Sequence, residues 1–149
     1  MAAKPNAART SELVDSLVQL SFAVQDVLTR ASAACDLSVT QLRLLGILRD
    51  RTPPMTAIAD HLRLDRSSVT GLVDRAARRG LVERSTSRQD ARVTIVSATS
   101  RGMEVGGELA AMITTEIEAL VGNIPVAERD CIRRVATSVL DAQAGRGLP

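Results

Sequence analysis

Apolar residues Leu13, Val14, Leu17, Leu20, Val24, Val27, Leu28 and Ala31 recur every three or four positions. That period predicts a long amphipathic helix over residues 11 to about 34, with Ser11 as its cap. Its stripe is wider than one small domain would cover with its own core. Ser38-Val39-Thr40-Gln41 has the Ser-x-x-Gln form of a reciprocal cap, so a second helix is expected from there to about residue 50. It buries Leu42, Leu45, Ile47 and Leu48, and Pro53-Pro54 stops it. Residues 55–62 make a short helix with Ile58, Ala59 and Leu62 inward. Asp65 then caps a helix over residues 66–79, which buries Val69, Leu72, Val73 and Ala76 and turns Arg66, Ser67, Ser68, Thr70, Gly71 and Arg75 outward. Gly80 suits the left-handed position that follows a helix end.

Beyond Gly80 the period changes. Residues 81–85 and 92–98 are rich in β-formers, and the polar stretch 86–91 between them reads as a turn, which predicts a hairpin with Arg88, Asp90 and Arg92 near its tip. Asp90 is expected to hold one of the neighbouring arginine side chains. A further long helix is expected from Ser100 to about residue 121, broken by Gly122-Asn123. Pro125 opens a last one to about residue 142, burying Ile132, Val135, Val139 and Leu140. Residues 1–10 read as a disordered leader and 145–149 as a frayed end. The fold class is therefore mainly α with a small β-hairpin wing: one domain over residues 11–149, with a helix-turn-helix lobe at 36–99 between long helices at 11–35 and 100–144.

A helix, a tight turn, a second helix opened by small polar residues and a basic hairpin fit duplex DNA, the helix in the major groove and the hairpin in a neighbouring groove. Charge agrees. The whole chain carries only +2, yet from His61 to Arg92 eight arginines stand against four acids, concentrating positive charge on this segment. Arg78 and Arg79, at the helix end, read as solvated residues that complement its dipole.

Composition removes other classes. With one His, two distant cysteines, no metal-ligand spacing and no glycine-rich phosphate loop, there is no catalytic or metal-binding constellation and no implied cofactor. Phe22 is the only aromatic residue, so platforms for stacking unpaired bases are missing. Cys35 and Cys131 follow no motif and read as small hydrophobes. No signal-like or membrane-length apolar run occurs, and the expectation is a soluble, cytoplasmic protein with no membrane partner.

Taken together, Leu37-Ser38 with Gln41, Ile58-Ala59 with Leu62, Ser68-Val69-Thr70 with Leu72-Val73-Asp74-Arg75, Gly80-Leu81-Val82-Glu83-Arg84, Asp90 with Arg92, and Thr99 with Gly102 resemble the MarR family of winged-helix transcription regulators. The resemblance spans nearly the whole chain. It implies a homodimer whose end helices interdigitate, and an inverted-repeat operator contacted by Asp65, Arg66, Ser67, Ser68, Thr70, Arg75, Arg88, Asp90 and Arg92. It also implies that Asp65 pairs with Arg92 as well as capping its helix, and that repression is relieved by a small aromatic or anionic effector, with Phe22 as a candidate pocket residue. The alternatives are a helical protein-interaction module without DNA binding and a redox-sensing regulator using Cys35. Three departures stand out. Gly71 replaces an arginine common in relatives, Arg63 holds a turn position often given to glycine, and Ala98 replaces the usual leucine before Thr99.

Overall fold

A computed structural model describes residues 4–145. Its elements are α1 (Lys4–Ala34), α2 (Val39–Leu48), α3 (Met55–Leu62), α4 (Arg66–Arg78), β1 (Val82–Thr86), β2 (Thr94–Ala98), α5 (Ser100–Val121) and α6 (Val126–Gly145). The chain falls into two compact units, one reaching Thr114 and the other starting at Thr115. Among the described residues, no helix is long and apolar enough to cross a membrane.

The first unit is built around α2, α3, α4 and the hairpin. Leu44, Ile58, Val69, Leu72, Val73, Leu81 and Val96 are all less than 2% exposed, Val27 and Ala31 of α1 are equally enclosed, and Leu109 of α5 is buried beside them. Each such aliphatic side chain contributes roughly 1.5–3 kcal/mol through its removal from water, so this small apolar centre holds the lobe together. The reciprocal cap of α2 is present: the Gln41 amide donates to Ser38 Oγ at 3.2 Å and the Ser38 amide to Gln41 Oε1 at 3.0 Å.

Helices α1, α3 and α4 end in the same way. After each, one residue takes a left-handed conformation: Asp36 at φ 54°, Arg63 at φ 54° and Gly80 at φ 69°. The leucine that follows each of them donates its amide back to a carbonyl in the last turn, Leu37 to Ser32 at 2.9 Å, Leu64 to Ala59 at 3.0 Å and Leu81 to Ala76 at 3.0 Å. The turn closes the helix and drops a leucine against the core. Only Gly80 adopts this conformation without a Cβ penalty, so Asp36 and Arg63 carry a small local strain.

The hairpin pairs antiparallel from Val82↔Ala98 to Thr86↔Thr94, with Arg84 opposite Val96. Both strands start later than the sequence indicates: the turn that seats Leu81 must finish before β1 begins, and residues 90–93, where the Val93 amide donates to the Asp90 carbonyl, close the hairpin turn before β2 begins. Ala98 remains half-buried and packs against the core, so the smaller side chain is still seated there. The far side of β2 is occupied too. The Val96 amide donates to the Pro53 carbonyl at 3.0 Å, and Pro54 bridges Ile95.

Thr99 joins the hairpin to α5. Its amide donates to the Leu81 carbonyl at 3.1 Å, its hydroxyl donates to the Gly80 carbonyl at 2.6 Å, and the same oxygen accepts the Gly102 amide at 3.0 Å. Gly102 lies so close to this turn that a Cβ built on it would sit 1.9 Å from the Leu81 oxygen.

Three sequence expectations need correction. Helix α1 begins at Lys4, so residues 4–10 are helical rather than a disordered leader and Ser11 is not the cap. Alanine, lysine and arginine propagate a helix readily, and Pro5 lies in the first turn where its missing N–H is not needed. The rest of the leader, residues 1–3, and residues 146–149 of the expected frayed end lie outside the described residues. In the second unit, Ile132, Val135, Val139 and Leu140 of α6 are 47–62% exposed rather than buried. Helical spacing correctly groups these residues on α6, but a single chain does not cover them. The second unit has its own closure: Arg129 reaches back to the carbonyls of Gly122 at 2.7 Å and Ile124 at 2.6 Å.

Gly102→Ala tests the close joint at α5. The added methyl meets backbone and not a flexible side chain, so urea unfolding should show a loss of about 1–3 kcal/mol, whereas the control Gly107→Ala should show none of that loss.

Candidate nucleic-acid interface

Helix α4 begins with a dense local network. The Asp65 carboxylate accepts the Ser67 hydroxyl at 2.5 Å, the Ser68 hydroxyl at 2.6 Å and the Ser68 amide at 2.8 Å. These donors, the Ser67 hydroxyl foremost, hold the carboxyl well below the usual aspartate range, so it stays ionised at any physiological pH. The Thr70 hydroxyl is also used internally, donating to the Arg66 carbonyl at 2.8 Å. Asp65 caps as its position indicates. The expected pair with Arg92 does not form, because the two serines take the carboxylate instead.

All the site residues read from the sequence are exposed, and those of α4 and the wing other than Asp65 divide among three grooves. Arg66, Thr70 and Arg92 line a groove of about 440 Å³ between α4 and the wing, where Arg84, Thr56 and Thr94 join them. Ser67, Ser68 and Arg75 face Ser38 and Thr40 across a second groove of about 380 Å³. Gly71 lines this groove too, and a Cβ there would meet a terminal nitrogen of Arg75 at 3.3 Å. The missing side chain thus leaves Arg75 room to lie along the helix. Arg88 and Asp90 line a third groove at the wing with Thr52, Ser85, Thr86 and Ser87.

Asp90 does something other than hold an arginine side chain. Its carboxylate accepts the backbone amide of Arg92 at 2.9 Å, and its carbonyl accepts the Val93 amide at 3.0 Å. A short acidic side chain closing a turn on its own backbone is a common device, and here it shapes the loop that carries Arg92.

Two cations matter in ways that sequence spacing does not show. Arg84 pairs with Asp74 at 2.7 Å and donates to the Thr70 carbonyl at 3.3 Å, tying β1 to α4. Strand alternation puts Arg84 on the same side as Val82, the side turned toward α4, although Arg84 itself stays exposed. Arg79 does not hang in solvent: it donates to the carbonyls of Asp36 and, at 3.2 Å, Cys35, capping the end of α1. No local pattern points to a contact between residues so far apart in the chain.

Phe22 lies on α1 and is 58% exposed. The apolar groove of about 330 Å³ between α2 and α5 is lined instead by residues such as Leu42, Leu45, Arg49, Met103, Leu109 and Ile113. Cys35 is partly exposed and packs against the core, whereas Cys131 is exposed on α6. Among the described residues, no group of His, Cys, Asp and Glu is placed to hold a metal ion.

A capped helix presented beside a two-stranded wing, on a helix-turn-helix core with a long helix on either side, defines a winged-helix protein. Residues 36–93, which carry that core, match the family model described as MarR family. Over that stretch the chain is similar to the MarR family, and its fold is that of a winged-helix protein.

Solved structures share the fold over most of the chain. CouR from Rhodococcus jostii RHA1, solved with p-coumaroyl-CoA, is 22% identical, with 87% of this chain and 92% of that chain covered at a TM-score of 0.75. A MepR mutant from S. aureus bound to an oligodeoxyribonucleotide is 18% identical, with 88% and 97% covered at a TM-score of 0.62. A MarR-family regulator from Rhodococcus sp. RHA1 is 20% identical, with 93% and 97% covered at a TM-score of 0.74. No curated protein matches the chain by sequence.

Acid should expose the role of the Asp65 cap. Its depressed folded value means that the ionised carboxylate stabilises the fold above the ordinary aspartate value of about 3.9 and that this support is lost as pH falls below it. Asp65→Asn retains a capping oxygen but cannot titrate. Thermal melts from neutral pH to about pH 3 should therefore fall more steeply for the parent than for the variant, and parallel curves would assign acid sensitivity elsewhere.

Proposed function

We propose that the protein is a homodimeric, sequence-specific repressor that binds duplex DNA at an inverted repeat and releases it when a small apolar, anionic molecule binds. The observation that carries this reading is the capped start of α4, exposed beside a wing whose Arg92 shares a groove with Arg66. Helix N-terminal residues can then face base edges, while the wing arginines Arg88 and Arg92 reach phosphate or a minor groove. The oligodeoxyribonucleotide bound to the MepR relative supports the same use of the fold.

Dimerisation is supported by Leu13, Val14, Leu17 and Leu20 of α1 and, separately, by Ile132, Val135, Val139 and Leu140 of α6, all exposed in one chain. A two-fold pair covers such stripes without leaving an open face. The α2–α5 groove supports effector binding: its walls are apolar and Arg49 offers a partner for an anion. CouR, solved with an acyl-CoA, is a relative that holds a molecule of mixed apolar and anionic character. A protein-interaction module would use the exposed stripes equally well, but it leaves the α4 and wing arrangement without a role.

Sedimentation equilibrium at micromolar concentration should give about twice the chain mass, and a folded monomer would overturn the dimer. Selection from random duplexes should return inverted repeats with half-sites about one helical turn, roughly 10 base pairs, apart. Arg92→Ala should weaken binding to that site by ~1–3 kcal/mol and flatten its salt dependence. Parental affinity and slope in that variant would remove the wing from the interface.

A further inference from the structure

The hydroxyls at the start of α4 have a fixed polarity, and it constrains which bases they can read. An ionised carboxylate has no proton to give, so Ser67 and Ser68, at 2.5 and 2.6 Å from the Asp65 oxygens, must both be donors to it. Each serine hydroxyl owns a single proton, and each has spent it. Thr70 has spent its proton in the same way on the Arg66 carbonyl. What these three exposed hydroxyls still offer a ligand is lone pairs.

We infer that Ser67 and Ser68 act as hydrogen-bond acceptors toward DNA, and that Asp65 is the positioning residue that makes them so, selecting amino bases over keto bases on the strand they face. This rests on the duplex-DNA reading above. In the major groove, adenine N6 and cytosine N4 donate, whereas guanine O6 and thymine O4 only accept. An acceptor hydroxyl therefore pairs with adenine or cytosine and faces an unsatisfied oxygen against guanine or thymine. A free serine would show no such choice, because a hydroxyl can turn to donate or accept. The Asp65 network removes that freedom before DNA arrives. Gly71 places no side chain of its own in the groove that Ser67 and Ser68 line, and the cations there, such as Arg75, can supply keto-base contacts only at other positions.

The test is selection from random duplexes with the parent and with Asp65→Asn, followed by binding to the selected site with single amino groups deleted. Purine in place of adenine, or 2-pyrimidinone in place of cytosine, removes the amino donor together with one Watson–Crick bond, and the same deletion at an uncontacted position of the site controls for the weakened pair. The parent should select adenine or cytosine at adjacent positions of each half-site and should lose on the order of tenfold in affinity on deletion of either amino group. Asp65→Asn keeps a capping side chain, and its carboxamide can donate as well as accept. It should relax selection at those positions to include guanine and thymine and bind the amino-deleted sites nearly as well as the intact ones. Ser68→Ala should lose sensitivity at one position only.

Guanine or thymine selected by the parent, or no preference there within an otherwise specific site, overturns the inference and leaves DNA binding intact. The same holds if Asp65→Asn keeps the parental preference and sensitivity. Failure of the folded parent to bind any duplex overturns the DNA reading itself, and with it this inference.

Discussion

The Leu81 carbonyl is the point on which the lobe depends. The residue belongs at once to the closing turn of α4, to the core and to the entry of the wing. Its amide is committed to Ala76, its side chain is enclosed, and its oxygen accepts the amide of Thr99. Helix α5 approaches that oxygen closely enough that only glycine fits at 102. The left-handed turn at Gly80 makes this possible, because without it the chain would continue outward from α4 and the hairpin could not fold back. The spacing between α4, the wing and α5 is therefore set by backbone contacts. These do not relax as side chains do.

A second layer of order comes from arginines that satisfy helix ends. Arg79 caps α1, and Arg129 caps the end of α5 with its guanidinium fork. A planar cation with several donors suits a cluster of unpaired terminal carbonyls better than a point charge does. Arg84 plays a related part between the wing and α4, but with Asp74 as its main partner. Thus two of the arginines that make the segment from His61 to Arg92 basic, Arg79 and Arg84, are already occupied. Those on the exposed side of α4 and at the wing loop, such as Arg66, Arg75, Arg88 and Arg92, shape the field a ligand meets.

Much of the fold could be read locally because its signals are local. The Ser38 box, the Pro53-Pro54 stop, the Asp65 cap and the Gly80 turn each act within a few residues of themselves, and each sits where the sequence places it. The exposed side of α4 follows from helical period in the same way. What could not be read depends on what lies opposite. Period groups Ile132, Val135, Val139 and Leu140 on α6 without saying whether their cover comes from the same chain. The contact of Arg79 with α1 joins residues more than forty positions apart and leaves no trace in either segment. Asp90 illustrates the finer limit: its role in the wing turn was visible, but its preference for a backbone amide over a guanidinium is decided by turn geometry.

The two prolines before α3 bear on more than where α2 stops. By lying along β2 they occupy the side of the hairpin that β1 leaves open, with the Pro53 carbonyl bonded and Pro54 bridged to Ile95. Proline has no amide to offer a further strand, so the sheet cannot be extended in that direction. The opposite edge is a five-residue strand bearing Glu83 and Arg84, short and charged. A wing must project from the body to reach a ligand, which makes it the part of such a protein most exposed to stray strand pairing with its neighbours. Here the residues that interrupt one helix also seal the sheet edge against self-association, and the projecting hairpin can remain soluble at the concentrations a cell gives it.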